Sequence, residues 1–167
     1  MSGRRSRAIP AAVADFWGAF EAQAGPGVSE RFYEASYFSD SEASANHLAE
    51  LVLQGQKRGT ATLLWSLQAE GKDAPKAGDL TVVTYWDGRP CCVAETRETA
   101  VVAFRDVTAA FAAIEGEGDG SLEYWQRAHW AFYERECARL GRQPAPDMPV
   151  LCEQFEVVFR PRPNLGR

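Results

Sequence analysis

LTVVTYWDGRPCCVAETRETAVVAF, residues 80–104, decides the fold. Valines and threonines recur through it, as they do in strands, and Asp87-Gly88 supplies the turn of a hairpin between its two runs. Helical patterns flank it on both sides. Upstream, PAAVADFWGAFEAQAGPG (10–27) repeats Val13, Phe16, Trp17 and Phe20 at helical spacing between Pro10 and the Gly25-Pro26 stop. An irregular aromatic stretch with Phe32, Tyr33, Tyr37 and Phe38 follows. DSEASANHLAELVLQG (40–55) then reads as a second helix, capped by Asp40 or Ser41, with Leu48, Leu51 and Val52 inward and Gly55 as its end.

Between these regions, QKRGTATLLWSLQ (56–68) reads as a loop turning into a short helix, with Thr60 at the helix start. Downstream, DVTAAFAAIEG (106–116) predicts a short helix and SLEYWQRAHWAFYERECARLG (121–141) a long one. The long helix carries Leu122, Trp125, His129 and Phe132 along one side, and VLCEQFEVVF (150–159) closes the chain as a strand. Strands interleaved with helices predict an α+β fold on a small mixed sheet or barrel. The expected organisation is one domain over 10–160, with a basic flexible tail at 1–9 and a C-terminal tail at 161–167.

Charge is uneven along the 167 residues, whose net value is −5. The tails hold six arginines and no acids, so the body from Ala8 to Phe159 has 12 basic residues against 23 acidic, a balance of −11. Long nucleic acid is held by many Lys and Arg contacts to phosphates, which such a body lacks. No run approaches the roughly 18 apolar residues of a membrane helix. The N-terminal basic cluster is followed by a stretch broken by Pro10 and Asp15, unlike an export signal. Cys91, Cys92, Cys137 and Cys152 match neither a disulfide framework nor a Cys-x-x-Cys zinc knuckle; reduced thiols in cytoplasm are the expectation.

Two stretches and a pair of isolated histidines carry candidate chemistry. IEGEGDGSLEYW (114–125) begins like a calcium loop, with Glu115, Glu117, Asp119 and Gly120, but its twelfth position from Glu115 is Gln126 rather than a bidentate glutamate. Helix-start chemistry accounts for Asp119, Gly120 and Ser121, leaving Glu115 and Glu117 unexplained. His47 and His129 are the only histidines, too few and too isolated for zinc, and His129 on an apolar helix face reads as a core histidine. No metal and no cofactor are expected. GQKRGT (55–60) is the second stretch. Were it helical, Lys57 and Thr60 would share a face, and a lysine kept partly neutral by burial can take a proton from a threonine hydroxyl. A solvated lysine beside a threonine helix cap is the alternative.

GQKRGT resembles the G-x-K-x-x-T signature of the ASCH family. The similarity extends through GDLTVVTYWDGRPCCV, FAAIEGEGDGSLEYWQRAHWAFYERE and PVLCEQFEVVF, covering roughly 47–159. The resemblance implies a PUA-like mixed β-barrel with surrounding helices, a fold associated with RNA and modified nucleosides. Some small bacterial members hydrolyse the amide of acylated cytidine with a Lys, a Thr and a Glu; others, with an EGEGD segment, are similar to sequence-unspecific ribonucleases. Carried onto this chain, the catalytic positions are Lys57, Thr60 and Glu115. Arg58, Trp65, Tyr85 and Trp86 are the candidate substrate contacts, the aromatic rings by stacking on a base. The expectation is a metal-independent hydrolase acting on RNA or on a modified nucleoside, with a non-catalytic binding module as the alternative. It implies no membrane partner and leaves the oligomeric state open.

Overall fold

The 14-residue strand β4 (Pro90–Ala103) organises the sheet in a computed structural model that describes residues 7–162. On one side β4 pairs antiparallel with β3 (Leu80–Thr84), and on the other it runs against almost the whole of β5 (Pro149–Phe159). β5 carries β2 (Gly59–Leu63) antiparallel on its outer edge, while β1 (Phe32–Ser36) joins β3 in parallel. The five-stranded order is β1-β3-β4-β5-β2. Both edge strands, β1 and β2, line one cavity, so the mixed sheet curls until its edges face each other. The α+β class and the mixed sheet are as the sequence predicts.

Five α-helices surround the sheet: α1 (Ala14–Ala24), α2 (Glu42–Leu53), α3 (Leu64–Ala69), α4 (Ala109–Glu115) and α5 (Leu122–Leu140). The first half of β4 is buried from Cys91 through Ala94 because both sheet faces are covered there. Val93 packs with Trp17 and Phe20 of α1 on one face, and Cys92 and Ala94 pack with Ala49 and Val52 of α2 on the other. Beyond Thr96 the pairing with β5 shifts at Arg97, and one face of β4 opens to solvent. Phe104, Phe111, Trp125, Tyr133 and Met148 form a third cluster, which fastens α4 and α5 over the β2–β5 end. All four cysteines are free thiols. No described helix is long and apolar enough to cross a membrane.

Three sequence expectations change. Phe32 and Tyr33 lie in a strand, because the parallel partner β3 supplies the backbone hydrogen bonds that an isolated aromatic stretch lacks. Thr60 is a strand residue opposite Glu153, and the helix starts four residues later at Leu64; pairing with β5 overrides the local pattern. In α5 the buried stripe is Trp125, His129, Tyr133 and Cys137, at four-residue spacing, and Phe132 is only half-buried beside it. The expected tails fall largely outside the described residues, at 1–6 and 163–167.

The α1 contact depends on Trp17, which is 3% exposed, meets Phe20 and Phe32 edge-on, and donates its indole N–H to Ser29 Oγ at 2.8 Å. Trp17→Ala removes this packing and the indole hydrogen bond, leaving Ser29 only its donation to Glu21. Urea unfolding should show a loss of about 3–5 kcal/mol.

Candidate functional site

Two chain turns are locked together to build the site. Gly55, at φ +80°, ends α2, and the N–H groups of Gln56 and Lys57 both donate to Leu51 C=O. From there Arg58 N–H reaches Ile114 C=O, and Gln56 Nε2 donates to Gly116 C=O at 2.9 Å. Gly116 itself sits at φ +64°, and a Cβ on it would lie 2.2 Å from Gln56 O, so only glycine lets the two turns approach this closely. The result places Lys57 against the two glutamates of the EGE segment.

Lys57 is 1% exposed. Its ammonium donates to Gly59 C=O at 2.7 Å and Glu117 Oε1 at 2.8 Å, and lies 3.5 Å from Glu115 Oε2 and 5.1 Å from the centre of the Phe38 ring. Burial opposes the charged form, but the two carboxylates outweigh it and hold the pKa above its ordinary value. Of the two readings the sequence left open, burial excludes the solvated lysine, and the two carboxylates favour the charged form over a partly neutral, base-like one.

Glu115 is fully buried at the C-terminal end of α4. Burial pushes its pKa up, yet Lys57 and His129 prevail and bring it to about 2. His129 Nε2 lies 3.3 Å from Glu115 Oε2, its Nδ1–H donates to Trp125 C=O at 2.9 Å, and its ring stacks on Trp125 at 4.2 Å. Although burial works against the imidazolium, Glu115 raises the His129 pKa above its ordinary value. A line of alternating charge results: Glu117, Lys57, Glu115, His129. Beside it Glu115 Oε1, Trp125 Nε1 and Tyr133 OH are buried without a hydrogen-bond partner among the described residues.

Glu115, Glu117 and His129 offer ligand atoms within 4.8 Å of one another, a donor set that suits a divalent ion. The Lys57 ammonium already lies against both carboxylates, so the cluster is charge-balanced by the protein's own cation. An ion would have to displace it.

The network borders, through Glu117 and His129, the smaller of two adjoining cavities. The smaller, about 300 Å³, is walled by Glu117, Gly118, Tyr124 and His129 on one side and His47 on the other. The larger, about 330 Å³, runs between β1 and β2 over the inner face of β3, β4 and β5. Thr60, Phe38 and Phe132 line both. Four glutamates, Glu34, Glu70, Glu136 and Glu153, line the larger cavity with two cations, Lys72 and Arg139.

Of the residues expected from sequence, Lys57 and Glu115 meet directly, and Thr60 lies in the cavity wall on β2 rather than on a shared helical face. Arg58 is exposed, and its backbone extends the β2–β5 pairing through Phe155 N–H. Trp65 packs on the α5 cluster under the Arg142 guanidinium, away from the lining of either cavity. Tyr85 donates its hydroxyl to Glu50 at 2.6 Å, beneath Arg89. Trp86 is 37% exposed and packs 4.7 Å from Tyr37, which reaches the rim of the larger cavity. Glu117, which the sequence left unexplained, and His129, which it read as a core histidine, are the further members of the site. The i,i+2 spacing of the two glutamates and the i,i+4 spacing of Trp125 and His129 were the available signals.

Residues 34–159 match the ASCH domain family. The fold is similar to the crystal structure of an ASCH domain from Lactobacillus crispatus JV V101, at 37% identity over 92% of this chain and 98% of that one, with a TM-score of 0.85. It is also similar to a protein from Enterococcus faecalis V583, at 28% identity over 89% of each chain, with a TM-score of 0.78. No curated protein matches the chain.

Glu115→Gln leaves Lys57 and His129 without their shared anion, and at pH 6 should cost about 3–5 kcal/mol in urea unfolding. The pH dependence follows from both partners. Glu115, depressed from 4.5, contributes stability above pH 4.5 that is lost as pH falls toward 2; His129, raised from 6.5, contributes stability below pH 6.5 that fades as pH rises through its folded value. The wild-type advantage over Glu115→Gln should therefore be largest between pH 4.5 and 6.5 and shrink on both sides.

Proposed function

The chain belongs to the ASCH domain family, and on that footing we propose that it is a metal-independent amidohydrolase acting on a small acylated nucleoside of the cytidine type. The observation that carries this reading is the Lys57 ammonium, buried between two carboxylates beside a cavity whose wall presents Thr60.

Amide hydrolysis needs a nucleophile, a stabiliser for the oxyanion that develops on the acyl oxygen, and a route for protons. Thr60 and Ser39 both present hydroxyls where the two cavities adjoin; Thr60, three residues beyond Lys57, supplies the nucleophile. Lys57 supplies positive charge in a site largely closed to water, where it acts more strongly than in bulk solvent, and Glu115 favours the charged form of His129 beside it. Glu115 holds the two cations in register from behind, and Glu117 anchors the ammonium from the cavity side. The two volumes fit the low end of small-molecule pockets, at roughly 300–1,000 Å³.

Substrate charge separates the alternatives. The larger cavity has more carboxylates than cations, and Lys72 and Arg139 are already paired with Glu34 and Glu136. A neutral nucleoside enters such a lining at less electrostatic cost than a phosphate backbone does. The exposed Trp86–Tyr37 pair at the rim offers an aromatic face to a base.

The decisive experiment offers acetylcytidine and single-stranded RNA separately to the wild type, Thr60→Val and Lys57→Met, with melting temperature followed alongside. The expected result is release of cytidine by the wild type, with losses of about 10²–10⁴-fold in Thr60→Val at unchanged melting temperature. Cleavage of RNA but not of the nucleoside amide transfers the site to a ribonuclease. Tight binding of either substrate with no turnover makes the chain a recognition module.

A further inference from the structure

The larger cavity holds a carboxylate outside the Lys57 network. Glu153 on β5 stands directly opposite Thr60 of β2 in the antiparallel ladder, and both line this cavity. Opposed side chains on one sheet face have Cβ atoms about 4.5–5.5 Å apart. The Glu153 carboxylate accepts Thr96 Oγ1 at 2.6 Å, and Thr96 is itself 1% exposed, so the contact fixes the glutamate from the closed side. Among the described residues Glu153 forms no salt bridge, whereas Glu34, Glu70 and Glu136 in the same cavity are each within reach of a cation.

No other carboxylate near Thr60 suits proton transfer as well. Glu115 is clamped by Lys57 and His129, with a pKa of about 2, and Glu117 is held by the Lys57 ammonium. Glu153 is pushed up to about 6, chiefly by burial; Thr96 opposes the rise, Glu34 and Asp79 add to it, and Lys57 opposes it. The charged groups facing it are Glu34 from β1, Asp79 ahead of β3 and Lys57 ahead of β2. Glu70 with Lys72, and Glu136 with Arg139, stand along the α3 and α5 walls. A base near the working pH is the efficient one.

We propose that Glu153 is the general base for Thr60 and the acid for the leaving nitrogen. The assignment rests on the amidohydrolase reading above. The Thr60 oxygen bonds to the acyl carbon as its proton passes to Glu153. The carbon–nitrogen bond then breaks as Glu153 gives that proton to the nitrogen, which departs as the free amine. Water next attacks the threonyl ester, passing one proton to Glu153. That proton goes on to the Thr60 oxygen as the carboxylic acid leaves, so the net change is amide plus water to amine plus acid.

The test is kcat/KM for acetylcytidine against pH in the wild type, Glu153→Gln and Thr96→Val, with melting temperatures. The wild type should gain activity as pH rises through about 6, where Glu153 loses its proton. Glu153→Gln should lose about 10²–10⁴-fold and the acid limb with it, at unchanged KM. Thr96→Val should keep the limb but move it to higher pH, since the hydrogen bond that favours the carboxylate is gone. Should Glu153→Gln fail to fold, Glu153→Asp serves instead, with kcat reduced and the limb retained. Glu153→Gln as active as wild type with the limb intact, or Glu153→Asp with unaltered kcat, overturns the assignment alone. Absence of wild-type turnover overturns the amidohydrolase reading and this assignment together.

Discussion

A buried ammonium is tolerable only where anions and carbonyls surround it, and Lys57 imposes that condition on three separate parts of the chain. The end of α2 must turn sharply, the end of α4 must come close enough to bring Glu115, and the following loop must fold back to bring Glu117. Gly55 and Gly116 make the two turns, and the Arg58–Ile114 and Gln56–Gly116 hydrogen bonds hold them in register. The same constraint explains why β2 starts where it does. Lys57 donates to the Gly59 carbonyl, so the strand leaves the site directly and carries Thr60 into the cavity wall. Positioning of the buried charge and of the Thr60 hydroxyl is thus one structural event.

Electrostatically, the site separates its tasks by depth. The innermost layer, Glu115 with Lys57 and His129, favours the charged form of all three groups. The layer facing the larger cavity holds Glu153, whose pKa lies close to neutrality. Two glutamates in one fold are pulled in opposite directions by their surroundings, one by adjacent cations and the other by burial without a cation partner. Pairs separated in this way are a recognised sign of divided acid–base and electrostatic roles.

The elements legible in the sequence were those with a strong local signal. The hydrophobic spacing of α1, the Ser121 cap, the Asp87-Gly88 turn and the β-branched run of β4 all appear where their patterns place them. β1 was not legible, because a strand that pairs in parallel with a distant partner owes its form to that partner, and its aromatic residues carry no alternation of their own. Thr60 was misplaced for a related reason: TATLLWSLQ contains both a strand and a helix start, and the ladder to Glu153 decides between them. Within the site, Lys57 and Glu115 came from a motif. Glu117 and His129 needed geometry, since a histidine four residues after a tryptophan reads equally well as packing, and it does pack, while its far nitrogen reaches Glu115. The polarity of Lys57 was the misleading part. Burial alone argues for a neutral amine, and the sequence does not show that two carboxylates close around it.

The surplus of carboxylates in the larger cavity also bears on how a reaction there would end. An uncharged amide meets little repulsion from Glu34, Glu70, Glu136 and Glu153, but the carboxylate left after its hydrolysis is an anion among anions. Such a lining discriminates between what enters and what departs without any moving part. Were the proposed hydrolysis to run here, such a cleft would clear itself, and accumulated acid product would compete poorly for it.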